Sequence, residues 1–122
     1  MANDYSKRIA ETIEANKEKY IDHLLKLVSI DTHDIGHGIE GGLEGNGQRY
    51  LEEVFREMNA DEIVEDPLTE EAIQKCAKYN EGNTGHNYDD RFNVYATIKG
   101  KSDKSILFNG HIDHMPADNL ES

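Results

Sequence analysis

Apolar and polar positions divide the chain into stretches of different period. Across residues 5–28, Ile9, Ile13, Tyr20, Leu24 and Val28 recur at helical spacing, with Ile21, Leu25 and Leu27 widening the stripe and Lys17 interrupting it. That pattern predicts one long amphipathic helix. Residues 29–47 lose the period and hold six of the ten glycines, which predicts a loop. Leu51, Val54, Phe55 and Met58 then restore an i, i+3, i+4, i+7 face, so a second helix is expected over 48–59. A short strand is expected over 62–66, around Ile63 and Val64 and ended by Pro67. Thr69 followed by Glu70 and Glu71 has the form of a helix start, predicting a short surface helix through about Lys78, with Ile73, Cys76 and Ala77 available to face inward. Residues 80–90 have the composition of an exposed loop. Phe92, Val94, Ala96 and Ile98 alternate with polar neighbours, the period of a half-buried strand. After a turn over 100–104, Ile106, Leu107 and Phe108 form a continuous apolar run, as in a strand covered on both faces, and Asn109-Gly110 stops it. The order of elements predicts an α/β layer protein whose last two strands pair as a hairpin.

Composition narrows this picture. At 122 residues the chain has the length of one small domain. Leu, Ile, Val and Phe number 26, close to the roughly 20% share below which highly charged chains stay disordered, so the core is marginal. Such a chain folds loosely or has apolar surface covered by something outside this sequence. With 13 Lys and Arg against 25 Asp and Glu, the net charge of -12 argues against nucleic acid and anionic membrane as partners. Cys76 has no second cysteine to pair with and lacks CxxC spacing, which fits a reducing compartment. The first 20 residues contain no apolar run like that of a signal peptide, and no window approaches the ~18 apolar residues of a membrane span. A soluble, cytoplasmic protein is expected.

Chemistry concentrates directly after the apolar run, in Gly110-His111-Ile112-Asp113-His114-Met115-Pro116. Residues two apart in an extended segment point to one side, so His111 and Asp113 can address one site while Ile112 turns inward. Imidazole is a common metal ligand, and a nearby carboxylate can accept its second N–H and fix the tautomer. The place also suits a ligand, since open α/β sheets bind ligands beyond the carboxyl ends of their strands. The spacing alone is equally that of a polar turn after a strand.

The run ILFNGHIDHMPAD, 106–118, resembles the first metal-binding motif of the acetylornithine deacetylase, succinyl-diaminopimelate desuccinylase and carboxypeptidase G family of zinc hydrolases. RFNVYATIKGKSDKS, 91–105, resembles the strand and turn before that motif; LLKLVSIDT, 24–32, and NGQRYLEEVFREM, 46–58, resemble the family's first helix end and second helix. The resemblance covers nearly the whole chain apart from 67–90. It implies the N-terminal portion of a zinc-peptidase-like catalytic domain, a mixed sheet packed with helices. It further implies that His111 binds one zinc of a two-zinc site, for which cobalt or manganese can substitute, and that Asp113 is a catalytic residue orienting it. The substrate implied is an N-acyl amino acid or small peptide. The His114-Met115-Pro116 stretch departs from the family's commoner residues there and leaves substrate preference open. The bridging aspartate, the Glu-Glu pair and the remaining ligands of the family lie further along than these 122 residues, as does the domain that makes its homodimers.

Other histidines compete for attention. His33, Asp34 and His37 could be drawn as a metal cluster, but His33 and Ile35 stand where an EF-hand needs oxygen ligands. The glycines around them contain no GxxxxGK[ST] phosphate cradle. His23, beside the first apolar stripe, reads as a packed or surface residue, and His86 lies in a polar stretch without an evident partner. Two function classes follow: the N-terminal fragment of a zinc-dependent deacylase or peptidase, inactive as the isolated chain, or a non-catalytic chain, either a binding or interaction module or the remnant of a truncated gene.

Overall fold

A computed structural model describes residues 2–76 and 85–115. The predicted helix beyond Cys76, part of the predicted 80–90 loop, and the motif run from Pro116 onward lie outside the described residues. The chain divides into two compact units, one ending at Ile30 and the other beginning at Asp31. None of the described helices is long and apolar enough to cross a membrane.

The first unit holds α1, Ala2–Ala15, and α2, Lys17–Val28. One long helix was expected; the break falls at Asn16, whose backbone leaves the helical region at φ −113° and ψ 11°. The cause is local. Thr12 Oγ1 donates back to the Arg8 carbonyl at 2.8 Å, and Asn16 Nδ2 donates to the Thr12 carbonyl at 2.8 Å, so side chains compete with the main chain for the acceptors of one turn.

The second unit is a small α/β arrangement. Its elements are β1, Asp34–Ile35; β2, Gly41–Gly42; α3, Glu44–Glu57; β3, Glu62–Pro67; α4, Glu70–Cys76; and β4, Phe92–Thr97. The glycine-rich stretch expected to be a plain loop contains the β1–β2 antiparallel pair, Asp34 opposite Gly42 and Ile35 opposite Gly41. Gly38 turns between them at φ +79°, where a Cβ would also meet Arg91 Nη1 at 2.9 Å. Helix α3 starts four residues earlier than the apolar pattern indicates. Its first turn is fixed from outside, because Gly45 lies so close to the Asp90 carbonyl that an added Cβ would stand 2.6 Å from it. Helix α4 opens as its sequence predicts, with Thr69 Oγ1 accepting from the Ala72 N–H at 3.1 Å.

Strand β4 is where its alternation places it, yet its partner is not the one expected. It pairs antiparallel with β3, from Glu62 opposite Thr97 to Pro67 opposite Phe92, and α3 packs on both strands. The Asp61 N–H to the Thr97 carbonyl (2.8 Å) and the Lys99 N–H to Asp61 Oδ2 (2.7 Å) close the far end of the ladder. Among the described residues of this unit Phe92 is the buried large apolar one, with the Arg49 guanidinium 5.4 Å from its ring centroid.

The predicted strand over 106–109 does not form. Ile106, Leu107 and Phe108 are 78, 84 and 85% exposed and outside every strand. An apolar run without alternation needs cover on both faces, and the described residues bring neither a partner strand nor a helix to it. The predicted closing hairpin is absent for the same reason. Both ladders are antiparallel, and the parallel component of the expected mixed sheet is a single bridge between His33 and His114.

Candidate functional site

The end of the apolar run turns back toward the start of the second unit, and two constellations result. In the first, His111 Nδ1 faces Asp113 Oδ1 at 3.1 Å and the Asp113 carbonyl at 3.2 Å. Both partners are acceptors, an arrangement that favours the proton on Nδ1 and would leave the Nε2 lone pair for an electrophile. This is the pairing that the i, i+2 spacing predicts. The two residues stand at one end of a cleft of about 240 Å³, lined also by Glu44, Arg91, Phe92 and Gly110.

Glu44 and Arg91 line the same cleft. Arg91 donates through Nε to Glu44 Oε2 at 3.2 Å and through Nη2 to Oε1, a two-pronged pair with both side chains largely buried. The Gly38 and Asn87 carbonyls take up Arg91 Nη1 at 3.5 and 3.4 Å. With its charge matched by Glu44, Arg91 shapes the cleft more than it attracts an anion into it. Position 91 is where α3 begins, the glycine turn and β4 meet, which is why sequence periodicity alone gave it no role.

In the second constellation Asp31 stands between two histidines. His33 Nδ1 is 2.6 Å from Asp31 Oδ1, and His114 Nε2 is 3.9 Å from the same oxygen. The hydrogen bond from His33 holds the Asp31 carboxyl below the usual carboxylate range. His114 Nδ1 donates to the Met115 carbonyl at 2.9 Å. The rings of His33 and His114 lie 6.1 Å apart, tilted by 47°. The grouping of His33 with Asp34 and His37 that the glycine-rich stretch suggested gives way to this one. Asp31 and His33 are two apart, the same relation as His111 and Asp113, so the signal was present in the sequence. His86 remains without a hydrogen bond at its buried Nδ1 and stacks on Tyr88, with centroids 6.1 Å apart.

A zinc site requires three protein ligands with room for water, and among the described residues no three of His, Cys, Asp or Glu stand so that they could hold a metal ion. Of such a site the described residues bring together one histidine and one carboxylate, His111 and Asp113, 3.1 Å apart. No family model, curated protein or solved structure matches the chain.

Proposed function

We propose that this chain is the opening part of a metal-dependent amidohydrolase acting on an N-acyl amino acid or small peptide. In this reading His111 is a zinc ligand through Nε2, and Asp113 is the carboxylate that fixes its tautomer. The observation carrying it is the 3.1 Å contact from His111 Nδ1 to Asp113 Oδ1 at the mouth of a cleft. In a completed site the metal would supply Lewis-acid polarisation of the amide carbonyl and an acidified water. The chain's own contribution is narrower: Asp113 holds a proton on Nδ1, and the Glu44–Arg91 pair lines the same cleft. The other ligands would come from further polypeptide, and a homodimer of the whole protein belongs to the same reading.

The test uses protein expressed from its whole reading frame. His111→Ala should lose zinc, measured by metal analysis. Asp113→Asn should keep zinc but hydrolyse N-acetylated amino acids about 10- to 100-fold more slowly, the usual cost of removing a ligand's orienting partner. Wild-type metal content and turnover in both variants would refute the assignment. The 122-residue chain alone should bind zinc weakly and hydrolyse nothing.

A further inference from the structure

Among the described residues, 98–113 make no backbone–backbone hydrogen bond. The His111–Asp113 segment is therefore held in place from outside, and the 31–34 segment does the holding. Thr32 Oγ1 donates to the Ile112 carbonyl at 2.6 Å, and the Asp34 N–H donates to the His114 carbonyl at 3.3 Å. Thr32 is 3% exposed, less than Phe92 or Glu52 at 7% each, so water cannot readily replace its hydroxyl. The carbonyl it grips belongs to the peptide that leads into Asp113. Rotation of that peptide would carry away both acceptors facing His111 Nδ1, the Asp113 carboxylate and the Asp113 carbonyl.

We propose that Thr32 is the positioning residue of the His111–Asp113 pair, its buried hydroxyl fixing the 112–113 peptide and so the tautomer of His111. The role takes its functional meaning from the reading of His111 as a metal ligand, but its test requires neither metal nor turnover. A threonine serving cohesion alone would affect stability and leave the imidazole proton where it is.

The experiment is long-range proton–nitrogen NMR of the histidine rings at about pH 8, above the ordinary histidine pKa of roughly 6.5. In the wild type His111 should be the Nδ1–H form. Thr32→Val, which keeps the shape and removes the donor, should lose that dominance, with Nε2–H gaining. Thr32→Ser should retain it. Unchanged amide shifts across β3 and β4 establish that each variant is folded. The proposal is overturned if Thr32→Val keeps the wild-type tautomer in a folded protein, or if Thr32→Ser loses it as Thr32→Val does. Should Thr32→Val fail to fold, the wild-type protein decides: slow solvent exchange of the Thr32 hydroxyl proton supports the bond, and exchange as fast as that of an exposed threonine refutes the proposal. If His111→Ala retains its zinc, the metal-ligand reading falls while the tautomer result stands by itself.

Discussion

Two stretches of similar apolar promise end in opposite conditions. Residues 92–97 become a strand, paired along their full length with β3 and backed by α3. Residues 106–108, more apolar per residue, remain outside any sheet and almost fully exposed. The difference lies in what each stretch needs. An alternating strand requires one partner edge and one covering element, and 44–67 provides both within the same unit. A run apolar on both faces requires two layers, and the described residues bring it none. Hydrophobicity alone therefore does not place a segment in the core; a matching surface within reach does.

The sharpest way to break this contrast is Phe92→Ala. Phe92 is buried under α3 and the Arg49 guanidinium, and truncating a buried phenylalanine costs about 3–5 kcal/mol. That is a large share of the roughly 5–15 kcal/mol that holds a domain together, so urea titration should show near-complete loss of the second unit. Leu107→Ser should change stability by no more than about 0.5 kcal/mol, as expected of a substitution that leaves no cavity. Its visible effect should be weaker self-association in analytical ultracentrifugation, because the exposed apolar run shrinks. A Leu107→Ser loss comparable to that of Phe92→Ala would mean that 106–108 is packed after all.

The smallest effect is electrostatic and concerns the paired region. The hydrogen bond from Arg49 lowers the Asp90 carboxyl, and that from His33 lowers Asp31. Each contributes stability above the ordinary carboxylate range and loses it as pH falls through its lowered value. Glu65 behaves in the opposite sense: the neighbouring Glu52 carboxyl raises its pKa. Its contribution is complete below the ordinary glutamate value of roughly 4.3 and is lost as pH rises through its raised pKa. Stability of the second unit should therefore peak in weakly acid solution and decline modestly toward neutrality. Glu65→Gln should flatten the decline on the neutral side, and an unchanged slope in thermal melts across that range would remove Glu65 as its cause.

Legibility in the sequence followed the range of the interaction. The α3 face, the Thr69 cap and the alternation of β4 are governed by neighbours within a few positions, and each can be read from the chain. The His111–Asp113 pairing is equally local, two residues apart, and its geometry matches its spacing. Partnerships between distant segments were not legible. Nothing in the alternation of 92–97 tells whether 62–67 or 106–108 will pair with it. The Asn16 break is invisible to apolar periodicity, which does not register a side-chain amide sharing a backbone carbonyl with the main-chain N–H. Thr32 left no trace, since its importance resides in a bond to a residue 80 positions away.

That separation has a meaning in time. The Thr32 hydroxyl leaves the ribosome 80 residues before the Ile112 carbonyl it will bind. At about 5–20 residues per second this is an interval of roughly 4–16 s, far longer than helices or hairpins need to form. During it α3 and the β1–β2 turn can assemble while the Thr32 hydroxyl and the Asp34 N–H still lack their partners in 112–114. The His111 turn is then among the last parts of the second unit to be made, docking onto a surface already prepared for it.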